Sequence, residues 1–190
     1  MAQTYHMPHL EKVIDLSRKS FSIPKDADNI RLFHGTSSVF LPEIIKKGLV
    51  NSHTSHNMID SGDWASEPGL VYLGHQYRCL YEYANRTVNK KGGALVLVEV
   101  EVPINDRLIE DLEEIRGCFQ NWRDCLEHFL ICAYVGNLKP ENTKRIHLFS
   151  RYARTRDMVT NNLEHYRSLD PEDFNESTLS QAMKELRHCA

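Results

Sequence analysis

The chain has 190 residues, 41% of them hydrophobic, with 9 glycines, 7 prolines and a formal net charge of -3. That is enough apolar material for one domain with a real core, and the Gly and Pro content is too ordinary for a disordered or fibrous chain. The negative balance argues against a general nucleic-acid coat protein, whose affinity rests on phosphate contacts and so on a basic surface.

No apolar run approaches the roughly 18 residues of a membrane span. The start, Met1 to His6, has no basic stretch leading into an apolar one, so no secretory signal is expected. Cys79, Cys118, Cys125, Cys132 and Cys189 are odd in number and lack CxxC spacing. They read as reduced thiols of a cytoplasmic protein, with no zinc site and no membrane partner expected.

Leu10, Val13 and Ile14 recur at helical spacing and predict a short amphipathic helix over 8–19. A loop over 22–28 leads into a predicted strand, Ile30 to His34, which Gly35-Thr36-Ser37-Ser38 ends while offering hydroxyl caps to a helix over 39–47. Gly48 stands where a helix C-terminal glycine belongs. Residues 50–69 are polar and aperiodic and read as a mobile loop, a lid or acceptor loop by its length and place. Leu70 to Leu73 reads as a strand, and Tyr77, Leu80, Tyr81 and Ala84 as the apolar stripe of a second helix.

After a Gly92-Gly93 turn, Ala94 to Val102 is the clearest strand, its second half alternating valine with Glu99 and Glu101 on an expected wet face. An acidic helix is predicted over 105–116, with Glu110, Asp111, Glu113 and Glu114 as its solvated face. A helix from Trp122 to Phe129, strands at 131–135 and 145–149, and a polar helical extension over 151–190 complete the pattern. His53 and His56 have metal-like spacing, but nothing beside them completes a ligand set.

Three elements recur in a fixed order. A strand ends in His34-Gly35-Thr36 and runs into a helix closed by Gly48-Leu49. A second strand carries Val71-Tyr72-Leu73 and is followed by a helix with Tyr83-Ala84. A third strand, Ala94 to Val102, closes with Pro103. This order resembles the ADP-ribosyltransferases of the diphtheria-toxin-like and poly-ADP-ribose-polymerase-like type, whose signature is His, Tyr and usually Glu on three strands.

The resemblance covers about 28–150 and implies an α+β fold with a split mixed or antiparallel sheet and flanking helices. It makes 1–150 the catalytic domain and 151–190 the helical extension. It further implies NAD as a substrate, bound by His34, Gly35, Thr36, Tyr72 and Tyr83. His34 would bond the adenosine-side ribose, Gly35 would hold the nicotinamide amide through its backbone, and Tyr72 would stack on the nicotinamide ring.

The third signature position falls at Ile131 or Cys132, and the nearest carboxylate is Glu127. Either Glu127 serves as the catalytic carboxylate or the acceptor supplies its own, as in relatives that carry an aliphatic residue there. The departure argues against polymer synthesis. The expected activity is therefore mono-ADP-ribosyl transfer from NAD to a macromolecular acceptor, protein or nucleic acid. Two alternatives stand beside it. An RNA 2'-phosphotransferase shares the HGT and GL elements, although Asn51 to His56 lacks that family's arginine and its histidine spacing. A catalytically silent module that binds NAD or ADP-ribose is the other.

Overall fold

The computed structural model describes residue 23 and residues 26–50, 69–111, 121–150 and 166–187. The helix expected over 8–19 and most of the loop expected over 50–69 lie outside the described residues. Among the described residues the fold is α+β: a seven-stranded sheet, antiparallel in every pairing, with helices on both faces.

The strands are β1 (Asn29–Ser37), β2 (Leu70–Gly74), β3 (Leu95–Pro103), β4 (Leu108–Ile109), β5 (Ile131–Val135), β6 (Thr143–Phe149) and β7 (Tyr166–Leu169). Across the sheet they run β4-β5-β2-β1-β3-β6-β7. The helices are α1 (Leu41–Lys47), α2 (Tyr77–Lys91), α3 (Trp122–Phe129) and α4 (Glu176–Arg187). No helix of the described residues is long and apolar enough to cross a membrane.

Period-two alternation divides the core. Ile30, Leu32, Val96, Val98, Val100, Ile146 and Leu148 face one side, where they meet Leu41 and Ile44 of α1 and Ala182 and Leu186 of α4. Phe33, Leu95, Leu97, Phe149 and Tyr166 face the other and are covered by Tyr77, Leu80, Tyr81, Ala84 and Val88 of α2. Helices on both faces explain why β3 reads as an almost unbroken apolar run.

Helix ends follow local chemistry. α1 ends at Gly48 (φ 81°) and α2 at Gly92 (φ 80°). Asn121 caps α3, its Oδ1 accepting from the N–H groups of Arg123 (2.9 Å) and Asp124 (3.1 Å). α3 stops at Leu130, whose φ of 71° is a left-handed conformation that costs a branched side chain energy.

Several sequence expectations need correction. The strand predicted to end at His34 runs on to Ser37, because Gly35, Thr36 and Ser37 continue the β3 ladder opposite Leu97, Val96 and Leu95. The helix predicted over 105–116 is absent from its described part, where 105–107 form a turn and Leu108 and Ile109 pair with Tyr134 and Ala133 as β4; 112–116 lie outside the described residues. Asp111, expected on a solvated face, is buried near Cys132. Glu99, expected on a wet face, is also buried.

The extension is not simply helical: Tyr166 to Leu169 pair with β6 as the edge strand of the same sheet, and Tyr166 is fully buried. Each miss has one cause. The partner that decides the residue's state lies on an element distant in sequence.

Candidate functional site

Pairing is dense on either side of β1 and β2 and thin between them. β1 and β3 match along nine residue pairs and β2 and β5 along five, whereas β1 and β2 meet at the single pair Phe33–Gly74. Extending that register would set Gly35 opposite Tyr72, but the ladder stops. Within the one sheet, β4-β5-β2 and β1-β3-β6-β7 are thus joined at that single pair, and the unpaired stretch between 34–37 and 70–73 is termed the wedge.

His34 bridges this wedge. Its Nδ1 lies 3.0 Å from the Tyr72 carbonyl oxygen, across 38 residues of sequence. A carbonyl only accepts, so Nδ1 carries the proton and the neutral ring presents Nε2 as an acceptor. Nε2 makes no hydrogen bond among the described residues. The residue is half-buried, yet protein atoms surround the ring closely enough for desolvation to lower its pKa below 6.5; the bond to Tyr72 opposes this less strongly.

This shift has a consequence for stability. A histidine whose folded pKa is depressed binds its proton less readily in the native state than in the unfolded chain, so stability falls as pH drops through and below 6.5. The melting temperature is expected to decrease between pH 7.5 and pH 5, and His34→Gln to make that decrease shallower. Parallel pH profiles for the two proteins would contradict a neutral, desolvated His34.

Gly35 is indispensable for a reason the sequence does not disclose. A Cβ built there would lie 2.5 Å from the Leu80 carbonyl oxygen and 3.5 Å from Ala84 Cβ, so α2 packs directly on the strand. The missing side chain makes room for a helix, rather than for a ligand on that face. Gly74 is similar: a Cβ would come within 2.8 Å of the Leu130 carbonyl. Thr36 is buried opposite Val96, so its side chain faces the core shared with α1 and α4.

The remaining candidates are dispersed. Tyr72 is half-buried on β2 beside the wedge. Tyr83 is half-buried on α2, outside its buried stripe, and its carbonyl accepts from Thr87 Oγ1. Glu127 is exposed on α3. Neither Tyr83 nor Glu127 hydrogen-bonds to His34 among the described residues. Ile131 is buried and pairs with Gly74, in the same cross-strand row as Phe33; Cys132 is buried on the opposite face, paired with Leu73, and burial pushes its thiol pKa well up.

His75 was missed in the sequence. It is buried where β2 ends, with Nε2 3.0 Å from the Leu126 carbonyl and its N–H donated to the Leu130 carbonyl. It therefore clamps the strained end of α3 to the end of β2. Its only sequence signal is its place directly after the Leu73-Gly74 strand end.

No protein-family model and no curated protein matches the chain. Among solved structures, the chain is similar to one named EcPltA, with a TM-score of 0.43 and 14% identity over 70% of this chain and 82% of that one. That likeness is too distant to carry an argument about fold family or function.

Proposed function

We propose that the chain is an NAD-dependent mono-ADP-ribosyltransferase whose substrate enters the wedge between β1 and β2, on an ADP-ribosyltransferase-like split sheet. The observation that carries this is the meeting of His34 and Tyr72 across a gap in an otherwise paired sheet. Those are the two residues that the family resemblance singles out, and they stand on separate strands.

In this reading the neutral His34 ring accepts a hydrogen bond from a hydroxyl of the adenosine-side ribose through Nε2, while Nδ1–H donates to the Tyr72 carbonyl. Tyr72 lays its ring against nicotinamide. The bond between the nicotinamide nitrogen and the ribose breaks with its electron pair leaving on nicotinamide, and an acceptor atom forms the new bond to the ribose carbon. The ribose passes through an oxocarbenium-like state, so holding and orienting it supplies much of the rate. Ile131 occupies the row next to Gly74 with an aliphatic side chain. The acceptor therefore provides the base that takes its own proton, which fits single-unit transfer to a protein or nucleic acid.

The same buried aliphatic, together with the exposed Glu127, also favours a silent NAD-binding module as the second reading. Calorimetry with NAD tests what the two readings share. Binding in the micromolar to millimolar range is expected, and no heat at several millimolar would defeat both. Tyr72→Ala should weaken binding by roughly 1–3 kcal/mol, with Tyr72→Phe retaining most of it. Equal losses would assign the effect to the hydroxyl and remove the stacking role. Labelled NAD with a cell lysate, treated afterwards with nuclease or protease, then separates transfer from silence and identifies the acceptor class.

A further inference from the structure

Behind the joint between β1 and β2 lies a polar chain that is buried except at its outer end, Arg31. Arg31 donates to Glu99 Oε1 at 3.0 Å, the other carboxylate oxygen lies 3.3 Å from His147 Nε2, and His147 Nδ1 lies 2.9 Å from the Tyr166 hydroxyl. A carboxylate only accepts, so Nε2–H donates to Glu99. In the neutral form of the ring Nδ1 accepts from the Tyr166 hydroxyl, and in the protonated form it donates to it; burial is the chief cause that pushes the Tyr166 pKa up to about 12. The chain runs from β1 through β3 and β6 to β7, and its three inner members are almost wholly buried.

Its place is what matters. Glu99 is the cross-strand partner of Phe33, Arg31 precedes Phe33 by two residues on the same face, and the His147 ring meets the Phe33 ring edge-on at 5.8 Å. Phe33 is thus held on its β3 side by the polar chain, and it is the β1 residue that joins β2. His34 follows it directly and points the other way. Rotation of β1 about its axis would move the His34 ring off the Tyr72 carbonyl.

We infer that Arg31, Glu99, His147 and Tyr166 form a positioning network through which the edge strand β7 sets the orientation of Phe33, and so of His34, in the wedge. Its importance for NAD rests on the reading above; its hold on His34 does not. A buried ionic chain is weak evidence for stability in itself, and fixing one arrangement is the better-attested use of such groups.

Tyr166→Phe tests this in the full chain, since it removes one hydroxyl and leaves the buried ring. The primary readout is the pair of His34 ring ¹⁵N shifts, assigned by their loss in His34→Gln. The wild type should show a single Nδ1–H tautomer, and Tyr166→Phe a mixture with Nε2–H. NAD affinity should fall about 3- to 10-fold, a typical size for coupling between packed groups. Glu99→Gln, which keeps shape and removes charge, should act in the same direction if it folds. A lower melting temperature with unchanged His34 shifts would overturn the proposal and leave the chain a fastener for β7. If the wild type binds no NAD but its His34 shifts respond to Tyr166→Phe, the positioning role stands and the NAD reading fails.

Discussion

Gly48→Ala is expected to destabilise the fold by about 3 kcal/mol or more, a large share of the 5–15 kcal/mol typical of a domain. Two separate costs meet at this residue. Its backbone (φ 81°, ψ -170°) belongs to a region that side-chain-bearing residues rarely enter. In addition, a Cβ there would overlap the Leu138 carbonyl oxygen, on a segment tied to Leu49 by a backbone bridge whose N–H···O distance is 2.9 Å. Backbone on both sides leaves nothing that can swing away.

Gly92 supplies the control. Its backbone is nearly the same (φ 80°, ψ -167°), but nothing lies within 4 Å of an added Cβ. Gly92→Ala should therefore incur only the conformational part, roughly 1–3 kcal/mol. Urea unfolding of both variants measures the difference. Equal midpoints would show that the 48–49 and 138–139 segments separate without cost, contrary to the close packing described above.

His34→Ala should reduce NAD-dependent transfer by roughly 100-fold or more, the scale seen when a preorganised hydrogen-bonding group is removed from a reaction centre. The change removes the group proposed to receive the ribose and also the Nδ1–H donor to the Tyr72 carbonyl. Circular dichroism and melting should show that the sheet persists, because β1 keeps its full ladder with β3. Glu127→Gln should change the rate no more than a few-fold, because that carboxylate is exposed on α3. A fall of one to two orders of magnitude in Glu127→Gln would instead identify Glu127 as the missing catalytic carboxylate. Transfer unaffected by His34→Ala would take the wedge out of the reaction. NAD binding without transfer in the wild type would favour the silent module.

Elements with strong local signals were legible before any tertiary information. Trp122 to Phe129 and Ile131 to Val135 match the predicted helix and strand, and the structure adds a side-chain cap at Asn121. The stripe Tyr77, Leu80, Tyr81 and Ala84 is buried as its spacing requires, and Gly48 ends its helix with the positive φ that only glycine adopts freely. These features depend on residues within a few positions of one another, so periodicity and capping report them directly.

What depended on long-range pairing was not legible. Glu99 alternates with valines as a solvent-facing residue would, yet Arg31 and His147 from two other strands bond its carboxylate, and Tyr166 from a third bonds His147. The 166–169 segment has no strong strand pattern and becomes a strand because β6 offers an unpaired edge. Gly35 drew notice as a place for a ligand, whereas its empty side is filled by the backbone of α2. His34 and Tyr72 could be named from sequence order alone. That they meet across a gap, with a histidine ring in place of the missing ladder, was decided by the tertiary structure, since only the folded sheet determines where two strands stop pairing.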